Sequence, residues 1–172
     1  MLADLEFPII ITTNYDQLYE QALEQKAIEE RTAQHQYELS IYSPNNMNQV
    51  RVETVDCPQH PDPKRPFILK IHGDLSKPES IVITDEDYIQ FVLRMSDTKP
   101  FHPFGNNVLA YLMKWPTLFI GYSLMDYNLR LLFKTLRWKL DAANIPPTYS
   151  VDKKPDQLIR DVWENQRRYV SF

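Results

Sequence analysis

Glycine is scarce in this chain. Of 172 residues only 3 are glycine, where an average usage of about 7% would supply roughly a dozen. Such economy predicts that Gly73 and Gly121 stand where a positive φ or a close backbone approach is needed. Gly105, near Pro103 and beside Asn106-Asn107, reads as a plain loop residue. Cysteine is scarcer still, with Cys57 alone. One thiol excludes an internal disulfide and any zinc module built on four cysteines, and it suits a reducing cytoplasm. No stretch approaches the roughly 20 apolar residues of a membrane-spanning helix. The short run Phe7 to Ile11 follows acidic residues and makes a poor signal peptide. Excess positive charge is also missing: 19 basic residues stand against 23 acidic ones, for a net charge of -4. That balance argues against a dedicated binder of nucleic acid or anionic membrane, and Lys64-Arg65 and Arg167-Arg168 read as solvated surface.

What is present is an ordinary globular composition, 43% hydrophobic and 24% charged, in a chain long enough to bury one core. Three short apolar runs end abruptly in polar residues. Pro8-Ile9-Ile10-Ile11 leads into Thr12-Thr13-Asn14-Tyr15-Asp16, Phe67-Ile68-Leu69-Lys70-Ile71 into His72-Gly73-Asp74, and Thr117-Leu118-Phe119-Ile120 into Gly121-Tyr122-Ser123. In open α/β sheets the ligand crevice lies outside the carboxyl ends of parallel strands, so these three endings are the candidate site.

Between them the pattern alternates strand with helix. Leu18, Ala22 and Leu23 predict an amphipathic helix from Asp16 to about Ala27, capped by Asn14 or Asp16. Tyr37 to Tyr42 and Val50 to Val55 alternate with period 2 about Pro44-Asn45-Asn46 and predict a two-stranded excursion. A proline-rich loop follows from Cys57 to Pro66. Ser80-Ile81-Val82-Ile83 precedes a helix through about Met95, with Thr84 and Asp87 in a reciprocal capping pattern. Helices at Asn107 to Lys114, Met125 to Leu140 and about Pro155 to Gln166, and strands at Thr148 to Val151 and Tyr169 to Phe172, complete the chain. Trp138 and Trp163 read as helix-face packing. The fold class expected is α/β with a mainly parallel sheet flanked by helices.

Among residues able to carry chemistry, Asn14 offers donors and an acceptor at a strand end, suited to a sugar hydroxyl or a water. Taken alone, capping of the next helix is the safer reading of Asn14, and Asp16 has the same ambiguity, with stabilisation of the first helical turn as its alternative. His72 follows an apolar strand and has the side chain best suited to proton transfer near neutrality; a structural turn histidine is the alternative. His35, His60 and His102 read as surface. Ser123 and Asp126 fit a capping box, and Met125 excludes a Gly-x-Ser-x-Gly elbow.

Taken together, Thr12-Thr13-Asn14-Tyr15-Asp16, Lys70-Ile71-His72-Gly73-Asp74 and Phe119-Ile120-Gly121-Tyr122-Ser123-Leu124-x-Asp126 resemble the sirtuin-like (silent-information-regulator-like) domain of bacterial proteins, many of them linked to phage defence. Ile81-Val82-Ile83-Thr84 before Asp87-Tyr88 matches as well, and the resemblance spans about residues 8 to 140. It implies a Rossmann-like domain that binds NAD and, in many members, hydrolyses it to nicotinamide and ADP-ribose. It assigns the nicotinamide ribose and the attacking water to Asn14 and the ribose hydroxyls or water to His72. Asp16 is expected near the nicotinamide amide, Gly121, Tyr122 and Ser123 on the adenosine side, and Thr13 among the NAD contacts.

Two departures from the family pattern set further expectations. Deacylating sirtuins carry four zinc-binding cysteines and this chain has only Cys57, so hydrolysis of NAD without zinc is expected rather than deacylation. Family members also begin with a glycine-rich loop whose backbone N–H groups cradle the diphosphate, whereas no glycine precedes Gly73. With the chain closing at Phe172 in mid-strand, the expectation is a single truncated domain over residues 1–172, its β excursion and proline-rich loop at about 32–66. A missing segment, a second copy or an effector partner would complete the nucleotide site. A non-catalytic nucleotide-sensing or protein-interaction domain is the alternative.

Overall fold

The computed structural model describes residues 2–32, 37–43, 56–96, 102–121, 146–151 and 170–171, together with Asp156, Gln157 and Asp161. The chain divides into two compact units, Met1–Asn107 and Val108–Phe172.

In the first unit the apolar runs form a parallel sheet of β1 (Ile9–Thr12), β2 (Glu38–Ile41) and β3 (Phe67–Lys70), in the order β1-β3-β2. Thr12 and Ile41 both lie opposite Lys70, so the three strands end level. Parallel strands need crossover connections, and α1 (Leu18–Glu29) lies on the path from β1 to β2. The central strand β3 is buried along its whole length, which is why it is apolar except at Lys70. β1 is half-buried rather than buried; among the described residues it pairs on one side, with β3. The first strand of the expected two-stranded excursion is β2, and it pairs with β3 in the parallel sheet. Residues 50–55, its expected partner, lie outside the described residues.

The predicted inner face of α1 is corrected in one respect. Leu18 is 68% exposed, whereas Glu20 is 4% exposed. A buried lysine on β3 holds the Glu20 carboxylate, and pairing that charge outweighs the burial of a terminal leucine. After β3 the chain makes a short 3-10 turn at Pro78–Ser80 and enters α2 (Asp85–Ser96). The capping box is present in both directions: Asp87 N–H donates to Thr84 Oγ1 at 3.1 Å, and Thr84 N–H donates to Asp87 Oδ2 at 3.0 Å. Phe91 and Met95 of α2 join the core, where Phe91 meets Tyr42 edge-on at 5.4 Å.

α3 (Asn106–Lys114) begins at the end of the first unit. The Asp56 carboxylate receives the Asn107 N–H at 2.8 Å, and the Asn107 side-chain amide donates to Cys57 O at 2.7 Å. Gly105 is therefore more than a loop residue, since a Cβ there would stand 2.1 Å from Asp56 Oδ1. His102, expected at the surface, is half-buried, and its Nδ1 accepts from Phe104 N–H at 3.1 Å. His60 is exposed.

In the second unit α3 ends just before Pro116, which cannot continue a helix hydrogen-bond ladder. β4 (Thr117–Ile120), β5 (Thr148–Val151) and β6 (Val170–Ser171) follow, all parallel and in the order β4-β5-β6. β5 alternates, with Thr148 and Ser150 buried and Tyr149 and Val151 exposed. The expected helix at 125–140, most of that at 155–166, and both Trp138 and Trp163 lie outside the described residues. Parallel sheets flanked by helices match the expected Rossmann-like α/β class. Among the described residues no helix is long and apolar enough to cross a membrane.

Candidate functional site

β1 and β3 end side by side, and the residues that follow stay together. Ile71 N–H donates to Thr12 O at 3.0 Å, and Leu75 N–H donates to Tyr15 O at 2.9 Å. The Asn14-Tyr15-Asp16 loop and the His72-Gly73-Asp74 turn are thus joined along the carboxyl edge of the sheet, where such folds take their ligands.

Neither Asn14 nor Asp16 is the N-cap of α1, which is Gln17 with no side-chain cap bond, but Asp16 bonds the first helical residue. Its Oδ1 accepts the Leu18 N–H at 3.0 Å at the start of α1. Asn14 is exposed, and its backbone N–H donates to Thr12 Oγ1 at 3.0 Å. Among the described residues its side-chain amide has no hydrogen-bond partner, which leaves both its donors and its acceptor for a ligand. Thr13 beside it is half-buried.

His72 is the reverse case, only 6% exposed. Its ring stands edge-on to Tyr88 at 5.2 Å and to Phe91 at 5.4 Å, so α2 fixes the imidazole plane. The His72 carbonyl accepts the Val82 N–H at 3.0 Å, while the Tyr15 hydroxyl donates to Val82 O at 2.7 Å. These two bonds connect the Asn14 loop to the His72 turn through Val82. Gly73 permits this crowding: its φ is 91°, and a Cβ would meet Ser80 O at 2.3 Å.

Below the two loops lies Lys70, fully buried. Its ammonium donates to the Asp16 carbonyl, to Tyr15 O at 3.4 Å, to Glu20 Oε1 at 3.1 Å and to Asp74 Oδ2 at 2.5 Å. Asp74 Oδ1 in turn accepts from Gln17 Nε2 at 3.0 Å and from Ser76 N–H at 2.7 Å. Burial pulls the Asp74 carboxyl upward, but hydrogen bonds from Lys70 and Ser76 outweigh it and hold its pKa down at about 2. Neither Glu20 nor the function of Lys70 is apparent from motif reading. The available signal is a lone charge inside an otherwise apolar central strand, which must find carboxylate partners once buried.

The other predicted residues divide. Gly121 follows β4 in the second unit, exposed, with φ 65° and nothing among the described residues within 4 Å of where a Cβ would be. Tyr122 and Ser123 lie outside the described residues. Cys57 is buried, and burial together with the neighbouring Asp56 carboxylate pushes its thiol up to about 11, making it a poor nucleophile near neutrality. Among the described residues no group of three or more His, Cys, Asp or Glu side chains could hold a metal ion.

A family profile described as SIR2-like domain matches residues 8–170 of this chain. The NAD(+) hydrolase ThsA of Enterococcus faecium is 27% identical over 154 residues, covering 90% of this chain and 27% of that protein. The NAD(+) hydrolase ThsA of Bacillus cereus (strain MSX-D12) is 26% identical over 175 residues, covering 100% of this chain and 32% of the relative. Defense-associated sirtuin 2 of Bacillus subtilis is 27% identical over 96 residues, 54% of this chain and 9% of that protein. The chain therefore spans about a third or less of the length of these relatives.

Proposed function

Because the chain belongs to the SIR2-like domain family, we propose that it binds NAD and hydrolyses it to nicotinamide and ADP-ribose, in a defence against phage. Cleaving the N-glycosidic bond passes through an oxocarbenium-like transition state. The protein must hold the ribose, place a water and limit access of bulk solvent. Asn14 is suited to the first two tasks through its amide, donating to a ribose hydroxyl and accepting from the attacking water. His72, with its ring plane held by Tyr88 and Phe91, takes or gives a proton at a ribose hydroxyl or at the water. Thr13 and Asp16 serve as NAD contacts, Asp16 keeping Oδ2 for the nicotinamide amide while Oδ1 holds the Leu18 N–H. The Gly121-Tyr122-Ser123 segment serves the adenosine part of NAD.

The observation that carries this reading is the Asn14 amide, exposed beside the His72 turn and unused by the helix it was suited to cap. Zinc has no part in it, since the four thiolates of a deacylating sirtuin are reduced to Cys57. The profile match runs through both units, which supports one domain. A second copy of the chain or an effector partner is the proposed source of further nucleotide contacts, and a cytoplasmic setting fits the single reduced thiol. The alternative reading is a nucleotide-sensing or protein-interaction domain without turnover.

Mass-spectrometric measurement of nicotinamide release from NAD separates the two. Asn14→Ala and His72→Ala are each expected to lower release on the order of 100-fold. NAD binding by the wild-type chain without release would favour the second reading. Release unchanged in both variants would sink the assigned site.

A further inference from the structure

We infer that Lys70 is a positioning residue that clamps the Asn14 loop against the His72 turn, an inference that rests on the NAD-hydrolysing reading of that edge. Its four acceptors belong to both sides of the site. The carbonyls of Tyr15 and Asp16 and the carboxylate of Glu20 lie on the segment that follows Asn14, and Asp74 closes the turn that holds His72. Asp74 passes the connection back through Gln17 Nε2, so the loop is held from two directions. A second bond of the same turn, Asp74 N–H to Ser80 Oγ at 3.0 Å, anchors it to the 3-10 segment behind.

Core filling does not account for this arrangement. A buried ion pair is weak evidence of stability, since apolar residues of similar volume often serve a core as well or better. What a lysine supplies that methionine or leucine cannot is a set of donors directed at two consecutive loop carbonyls. Those carbonyls adjoin the residue whose amide must be placed to within a fraction of an ångström for chemistry. Among the described residues the loop has few regular hydrogen bonds of its own: Tyr15 O accepts from Leu75 N–H and Lys70, and Asn14 N–H donates to Thr12 Oγ1. Without the ammonium the Asp16 carbonyl loses the donor that fixes its direction, and Asn14 loses its support. The clamp acts on Asn14 through the backbone and does not touch substrate.

The test uses two variants of the full chain. Lys70→Met combined with Glu20→Gln removes the donors while balancing the lost charge, and Gln17→Ala cuts the outer link without disturbing the buried ion pairs. Amide hydrogen exchange is read without NAD, and nicotinamide release is read with it. In the double variant, exchange over residues 13–17 should rise on the order of tenfold while β3 and α2 keep their protection. The kcat for nicotinamide release should fall on the order of 100-fold with KM for NAD changed by less than about threefold. Gln17→Ala should shift both in the same direction by a smaller factor. Unchanged exchange over 13–17 in both variants, or protection lost uniformly across the first unit, would overturn the clamp. A loosened loop with kcat unchanged would overturn it as well. If the wild-type chain releases no nicotinamide, the hydrolase reading fails while the exchange arm still decides whether Lys70 orders the loop.

Discussion

Gly73 and Gly121 both hold a positive φ, 91° and 65°, yet they differ in what a side chain would meet. At Gly121 no described residue would meet a Cβ, and the cost expected of alanine is that of the left-handed backbone, about 1 kcal/mol. At Gly73 the added Cβ would also collide with the Ser80 carbonyl and the Ile81 backbone, neither of which can rotate away. Gly73→Ala is therefore expected to cost roughly 3 kcal/mol or more. Urea unfolding midpoints of the two variants check this, and equal losses would refute the steric argument. Scarcity alone made these two positions legible in the sequence. Gly105 was not, because the reason for it is the carboxylate of Asp56, brought to it from a distant loop. Lys70 was hidden for the same reason: its partners on the Asn14 side come from β1's loop and α1, and no local pattern names them.

Elements whose signals are local came through best. The Thr84 and Asp87 box needs only four consecutive residues, and it caps α2 in both directions. Bonds from the Thr84 backbone and side chain hold the Asp87 carboxyl below its ordinary range. Thr84→Ala removes one half of the box and is expected to destabilise the protein by about 1 kcal/mol, with Thr84→Ser restoring most of it. Thermal melts of the pair would show this, and equal melting of Ala and Ser variants would argue against the hydroxyl. The inner face of α1 was legible only in part, since helical spacing counts Leu18 as apolar and Glu20 as polar without seeing the buried ammonium beneath. β2 shows the same limit from another side. Its alternation identified a strand, but pairing is decided by the neighbour available in space, and β3 offered an open parallel edge.

At the scale of the whole molecule the strand endings were readable because a buried parallel strand has little reason to finish in Asn, His or Gly except at an exposed edge. That logic singled out Asn14 and His72 as candidates but said nothing of the charge cluster between their loops, and the cluster has a consequence for global stability. Asp74 titrates at about 2 in the folded protein, against roughly 3.9 for an unfolded aspartate. As pH falls, the unfolded chain takes up this proton first, so the contribution of Asp74 is fully present above about pH 4, declines between about pH 4 and pH 2, and is absent below. Asp4 and Asp87 are also held low and tilt stability the same way, so the wild-type slope alone does not isolate Asp74. Asp74→Asn does: it keeps one carbonyl oxygen, able to serve either the Ser76 and Gln17 donors or Lys70 but not both sides, and it cannot titrate. The variant should be less stable than wild type at pH 7 and should lose less on acidification, the two slopes differing by no more than about 1.4 kcal/mol per pH unit. Urea midpoints at neutral pH and at steps down to pH 2 measure the difference. Parallel curves would mean that the Lys70 cluster does not hold an ionised Asp74 in the native state.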